Sequence, residues 1–320
     1  MIKGTNEQEE IWNELEHGTS HVMVYAGAGT GKTFTIVQGS KRTSGANKGF
    51  LAFNKAIASE LDNKLPSDCK AMTFHSLGMK AIKKVNRRGR MNKWKNRNNI
   101  ELVLGKKYKS KNQLGKLISL LKSSMAFHPN VDRRTVMDII YEYNIEFDGV
   151  RDRDSAINAI PDLYRRSLTT DEFDFDDMIW LPIVMDLSIE HFDVLFVDEA
   201  QDFNEAQRQL ILKACNGGRM VVVGDPNQAI YGFRGADSAS MGLFESTLVK
   251  SSRGVEKFTL SKTFRCPRSV VAEANRYVPD YHCHDEADEG TVTVNAPFNP
   301  SEGDMVLCRV NAPLIERCFA

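Results

Sequence analysis

Residues 21–33 read His21-Val22-Met23-Val24-Tyr25-Ala26-Gly27-Ala28-Gly29-Thr30-Gly31-Lys32-Thr33. An apolar run ends in a turn of small residues, and Lys32 then opens a stretch at helical spacing, Lys32–Arg42. Glycines at 27, 29 and 31 let backbone N–H groups turn inward and cradle phosphate oxygens. The helix start behind them adds a favourable dipole. In such a loop Lys32 reaches the β- and γ-phosphates of ATP, and the Thr33 hydroxyl holds Mg²⁺. The strict pattern has Gly in first place, where this chain has Ala26. The strand before the loop and the helix after it distinguish the motif from an ordinary turn.

The surrounding sequence repeats the strand-then-helix pattern. Candidate strands are 21–25, 49–53, 71–74, 193–197, 220–223, 257–260, 291–294 and 305–309, mostly rich in Val, Phe and Leu. Lys32–Arg42 and Asn54–Leu65 read as helices between the first three. That alternation predicts an α/β fold on a parallel sheet. It breaks between about residues 78 and 160, where the chain is polar, basic and helical in spacing. Leu114, Leu117, Ile118 and Leu121 mark an amphipathic face there. The expected organisation is an α/β domain over 1–77 and 161–260, interrupted by a basic helical insertion over 78–160.

A second motif strengthens the first. Phe196-Val197-Asp198-Glu199-Ala200-Gln201-Asp202 places two carboxylates at the end of an apolar strand. They are costly there unless they serve a cation or a proton. Asp198 fits the Mg²⁺-holding acid, and Glu199 the base that orients and deprotonates an attacking water.

The net charge of zero, from 42 basic and 42 acidic side chains, hides an asymmetry. Residues 80–122 hold fifteen Lys/Arg against the single acid Glu101. So one-sided a segment points to a polyanionic partner. No apolar run approaches the length of a membrane span, and the first ten residues do not read as a secretory signal. The six cysteines form no C-x-x-C pair and read as reduced thiols. Asp171, Glu172, Asp174, Asp176 and Asp177 crowd one stretch. They read as a helix start, with Met178, Ile179 and Leu181 as its apolar face. His282-Cys283-His284 lacks a second ligand pair at zinc spacing and reads as surface.

With these residues in view, the chain resembles the UvrD/Rep class of superfamily 1 DNA helicases. Gly224-Asp225-Pro226-Asn227-Gln228-Ala229-Ile230-Tyr231-Gly232-Phe233-Arg234-Gly235-Ala236-Asp237 is similar to the third motif of that class almost letter for letter. Phe53-Asn54-Lys55-Ala56 and Thr73-Phe74-His75-Ser76 resemble its DNA-contacting motifs. Leu260-Ser261-Lys262-Thr263-Phe264-Arg265 resembles the segment entering its second motor domain, and Val306–Ala312 the strand segment after it. The wording Phe53–Ala58 also resembles the F-box DNA helicase branch, without a visible F-box.

The resemblance implies RecA-like motor domains, ATP hydrolysis with Mg²⁺, and movement on single-stranded DNA, 3′ to 5′, with strand separation at junctions. It implies a cytoplasmic, DNA-associated protein. It assigns adenine reading to Gln8 and base stacking to Phe264. Gln228 would sense the γ-phosphate and Arg265 would neutralise it. Phe53, Asn54, His75, Tyr231 and Phe233 would contact DNA. Gln8 also reads as a helix-capping residue, because Asn6 and Glu9 stand at capping-box spacing. Phe34 stands where the class commonly has an arginine that stacks on the base. The class places its fifth and sixth motifs, with a second γ-phosphate arginine, beyond residue 312. Two other readings stay open: an ATP-switched DNA-binding or loading protein without motor activity, and the motor part of a helicase–nuclease.

Overall fold

The computed structural model describes residues 3–52, 54–229, 240–297, 299–308 and 311–318. Helix α1 (Asn6–His17) leads into β1 (His21–Ala26), α2 (Lys32–Arg42), β2 (Lys48–Ala52), α3 (Lys55–Asp62) and β3 (Cys69–Thr73). A helical passage follows: α4 (Phe74–Val85), the short β4 (Arg90–Met91), α5 (Lys95–Leu104), α6 (Lys111–Ser123), α7 (Arg133–Glu142), α8 (Gly149–Ser167), the short β5 (Glu172–Phe173) and α9 (Phe175–Val184). Next come β6 (Val194–Val197), α10 (Glu205–Ala214), β7 (Arg219–Gly224), α11 (Ser240–Val249) and β8 (Val255–Leu260). The remaining elements are β9 (Lys262–Thr263), α12 (Arg268–Ala274), β10 (His282–Cys283) and α13 (Asn311–Cys318).

The fold is α/β. Six strands form one sheet in the order β3-β2-β6-β7-β1-β8, and every pairing is parallel. Successive side chains of a strand point to opposite faces, and both faces of this sheet are covered. Met23, Leu51, Leu195, Val197 and Val222 pack into one layer under α10 and α11. Val22, Val24, Phe50, Phe196 and Val221 pack into the other, with Ile11, Leu15, Ile36 and Leu61 of α1–α3. Burial on both sides explains why the strands read as unbroken apolar runs.

Asn54 caps α3 by accepting the Ile57 N–H at 2.9 Å, so the expected helix begins one residue later and ends at Asp62. The helical passage has its own core. Leu114, Leu117, Ile118 and Leu121, the expected amphipathic face, are fully buried there with Ile100, Val136 and Trp180. Helix α4 runs through Gly78 and α8 through residues 160 and 161. A Cβ on Gly78 would stand 1.6 Å from the Met178 carbonyl oxygen, so this glycine permits the approach of α4 to α9.

Two expected strands do not form. Thr291–Val294 lies outside any ladder, as does the described part of 305–309. Val294, Met305 and Leu307 are all exposed.

Candidate active site

The three loops singled out in sequence leave the C-terminal ends of β1, β6 and β7, the rim where parallel α/β sheets bind ligands. Gly29 (φ 71°) and Gly31 (φ 83°) adopt left-handed backbone, which glycine tolerates without a Cβ penalty. A side chain at 29 would also meet Arg265 Cβ at 2.5 Å and Thr263 Oγ1 at 2.7 Å.

Behind the loop, α2 presents its first two side chains to the acid pair. Lys32 Nζ lies 2.9 Å from Glu199 Oε2. Thr33 Oγ1 donates to Asp198 Oδ2 at 2.9 Å, and the Glu199 N–H donates to Asp198 Oδ1 at 2.9 Å. Glu199 itself sits at φ 54°, a sparsely populated conformation for a residue with a side chain, of the kind that concentrates at functional sites. Burial, with the neighbouring Glu199 charge, pushes the Asp198 carboxyl up to about 6. Thr33 and Asp198 supply hard oxygen donors side by side, and among the described residues the carboxylate makes no ion pair, Lys32 acting on it only from its contact with Glu199. Such a donor set fits Mg²⁺.

A polar chain leads away from the pair. Gln201 Nε2 donates to Glu199 Oε2 at 2.8 Å. Gln201 Oε1 accepts the Asp225 N–H at 3.0 Å, and Gln228 Nε2 donates to Asp225 Oδ2 at 2.6 Å. Gln228 is thus linked to Glu199 through Asp225 and Gln201. Gln201 and Asp225 carry no role legible in the sequence, although both lie inside the motifs quoted.

The base-side candidates gather on the other flank of the loop. Gln8 is buried, and its amide is shared between two tasks. With Thr5 it forms the capping box of α1, displacing the expected Asn6–Glu9 box by one residue. Its Nε2 also donates to Thr35 Oγ1 at 3.1 Å. Gln8, Gly29, Gly31, Phe34, Phe264 and His284 line a cavity of about 500 Å³. The Phe264 N–H donates to the Gly29 carbonyl at 2.9 Å, while its ring is half exposed. His284, read as surface, packs its ring 4.9 Å from that of Phe264. The exposed Arg265 stands against the loop through its Cβ.

Two of the candidates for DNA, Asn54 and His75, lie elsewhere on the same rim. Asn54 follows β2, and His75 sits in the first turn of α4 after β3. Phe53, Tyr231 and Phe233 lie outside the described residues. The His75 ring meets Phe175 edge-on, with centroids 5.5 Å apart. Phe175 is 55% exposed at the start of a helix, a position the acidic stretch had marked only as structure. Beyond it stands Trp94, also exposed, with Lys93 Nζ 5.1 Å from its ring centroid.

The acidic stretch does begin a helix, with Asp174 and Asp177 forming the capping box of α9. Asp177 further accepts Lys95 at 2.7 Å and Lys122 at 2.8 Å, all three buried. Two of the fifteen cations of the basic segment are therefore internal.

Residues 6–248 match the UvrD/REP helicase N-terminal domain, and the chain belongs to that family. Among its relatives is F-box DNA helicase protein 1 of Schizosaccharomyces pombe, 25% identical over 85% of this chain and 32% of that protein. F-box DNA helicase 1 of Gallus gallus is 26% identical over 73% of this chain and 24% of that protein. ATP-dependent DNA helicase PcrA of Staphylococcus aureus is 33% identical over 36% of this chain and 17% of that protein. The chain thus spans about a third or less of these relatives.

Proposed function

We propose that the chain is the nucleotide-hydrolysing part of an ATP-dependent DNA helicase that moves on single-stranded DNA. The observation that carries this reading is the meeting of Lys32 with Glu199 and of Thr33 with Asp198, each at 2.9 Å, across two strand ends. In the division we favour, 1–77 and 161–260 form the first motor domain, 78–160 the insertion and 261–320 part of a second motor domain. The direction, 3′ to 5′, rests on the resemblance alone.

Backbone N–H groups of residues 27–33 hold the phosphates, and Lys32 exchanges its Glu199 partner for the β/γ-phosphate oxygens. Thr33 and Asp198 hold Mg²⁺, which when bound neutralises charge on those oxygens. Glu199, released from Lys32 but still oriented by Gln201, accepts the proton of the attacking water. Arg265 approaches the γ-phosphate across the loop; a cation in that place is worth roughly 10³–10⁵ in rate. Gln8 retains one amide hydrogen and one lone pair for the adenine edge, and Phe264 offers its half-exposed ring to the base. Gln228 reports on Glu199 through Asp225 and Gln201. Asn54, His75 and Phe175, with the aromatics Phe53, Tyr231 and Phe233, take the single strand. The exposed cations of the insertion follow the phosphate backbone toward a junction.

A melting experiment with Mg²⁺-ATP tests the site. Lys32→Ala should abolish protection by the nucleotide, while Glu199→Gln retains it. Equal protection of wild type and Lys32→Ala would refute the assignment.

A further inference from the structure

Between Phe264 and β10 the chain returns to the phosphate loop at a second point. Tyr281, 6% exposed, donates its hydroxyl to the Ala28 carbonyl at 2.6 Å. Its ring edge stands 3.1 Å from where a Cβ on Gly27 would be, so the ring lies against the loop backbone. Cys266 Sγ is 3.3 Å from the same hydroxyl. The carbonyl is the stronger acceptor and takes the phenolic proton, which leaves the thiol to donate to the phenol oxygen. The pairing of β10 with β9 fixes the position of Tyr281: the His282 N–H donates to the Ser261 carbonyl, and the His284 N–H to the Thr263 carbonyl, each at 3.0 Å.

Two successive loop carbonyls, Ala28 and Gly29, are therefore held from outside, by Tyr281 and by the Phe264 N–H. In a planar trans peptide the C=O and the following N–H point in opposite directions. Fixing the Ala28 carbonyl outward turns the Gly29 N–H inward. A loop with glycines at 27, 29 and 31 has much backbone freedom to lose, so an external hold on this peptide reduces what a ligand must order. Gly29 also abuts Arg265, the residue assigned to the γ-phosphate, so the peptide faces that end of the nucleotide.

We propose that Tyr281 is a positioning residue for the phosphate loop, holding the Ala28–Gly29 peptide with its N–H toward the β/γ-phosphates. It does so from the segment that carries Phe264 and Arg265, and so couples that segment to occupancy of the loop. Burial pushes its hydroxyl up to about 12, which keeps it a donor at every working pH. The inference rests on the nucleotide-site reading above.

Tyr281→Phe removes the donor and keeps the ring on Gly27. In the full chain, dissociation constants for Mg²⁺-ATP and Mg²⁺-ADP should separate. We expect ATP to weaken about tenfold and ADP less than about threefold, with melting lowered by only a few degrees. Cys266→Ala, which leaves the Tyr281–Ala28 bond intact, should leave the ATP/ADP ratio unchanged. Equal weakening of both nucleotides, or of neither, in Tyr281→Phe would overturn the proposal and leave Tyr281 as packing. Lys32→Ala is measured beside it. If that variant binds both nucleotides like wild type, the nucleotide-site reading fails and the positioning role with it.

Discussion

Asp177 and Asp198 are both buried near the start of a helix or turn, and their surroundings treat them in opposite ways. Asp177 lies in the helical passage, where burial opposes its charge but Lys122 and Lys95 hold its carboxyl below the usual range. Lys122, also buried, has its pKa raised because Asp177, Asp174 and Asp176 outweigh the desolvation. Asp198 lies at the sheet rim with a threonine hydroxyl and a backbone N–H for company, and burial pushes it up to about 6. The first charge is satisfied internally and ties α5, α6 and α9 together. The second is left short of a cation, at a place where three loops converge. Asp174, beside Lys122, is likewise pushed up to about 6, so what sets Asp198 apart is its lack of an ion pair among the described residues, which is what the proposed metal site requires.

The same isosteric change should therefore act oppositely at the two sites. Asp177→Asn takes the closest counter-charge from two buried lysines, leaving Lys122 only Asp174 at 3.5 Å, and should destabilise the fold by about 3–5 kcal/mol in denaturant unfolding. A loss under about 1 kcal/mol would remove the contrast.

A smaller effect is expected at the exposed aromatic beside His75. Phe175→Ala should weaken single-stranded DNA by about 1–3 kcal/mol, the range for one stacked base. Its dependence on salt should stay unchanged, because no phosphate contact is lost. Neutralising Lys106, Lys107 and Lys109 together should instead flatten that dependence, as fewer counterions are released. Fluorescence anisotropy across a salt series separates the two, and a Phe175→Ala variant that binds single-stranded DNA like wild type would assign the ring to packing.

The smallest effect comes from pH. The folded Asp198 carboxyl titrates near 6, above its unfolded value of 3.8. Folding thus favours its protonated form, and the stability this gives is lost as pH rises from 3.8 through about 6. Mg²⁺ needs the ionised form, so protons compete with it below that point. Mg²⁺-dependent nucleotide affinity should be level above about 6 and fall toward tenfold weaker per pH unit below it. A titration by calorimetry at several pH values checks this.

Much of the six-stranded sheet was legible because its physics is local. Strands buried on both faces announce themselves as apolar runs, and the strand–loop–helix at 21–42 carries its chemistry within one stretch. The acid pair could be read for the same reason. The Asp225–Gln201 link could not, since it joins side chains from two strand ends. Nor could Tyr281, whose role depends on a return of the chain across 253 positions to Ala28. The basic segment misled in part, because Lys95 and Lys122 find their partners in the acidic stretch far along the sequence. The expected strand at 291–294 and the described part of that at 305–309 pair with no strand among the described residues, and apolar residues without a partner edge do not make a sheet.

The central claim is that the acid at the end of β6 is an unmet charge awaiting Mg²⁺-ATP. Melting of wild type and Asp198→Asn at pH 7.5, with and without Mg²⁺-ATP, tests it most directly. An asparagine can still accept from the Glu199 N–H and donate to Thr33, while shedding the desolvated charge. The account predicts that the variant melts at or above the wild-type temperature without nucleotide and gains nothing when Mg²⁺-ATP is added. A variant that is strongly destabilised yet still protected by Mg²⁺-ATP would contradict it.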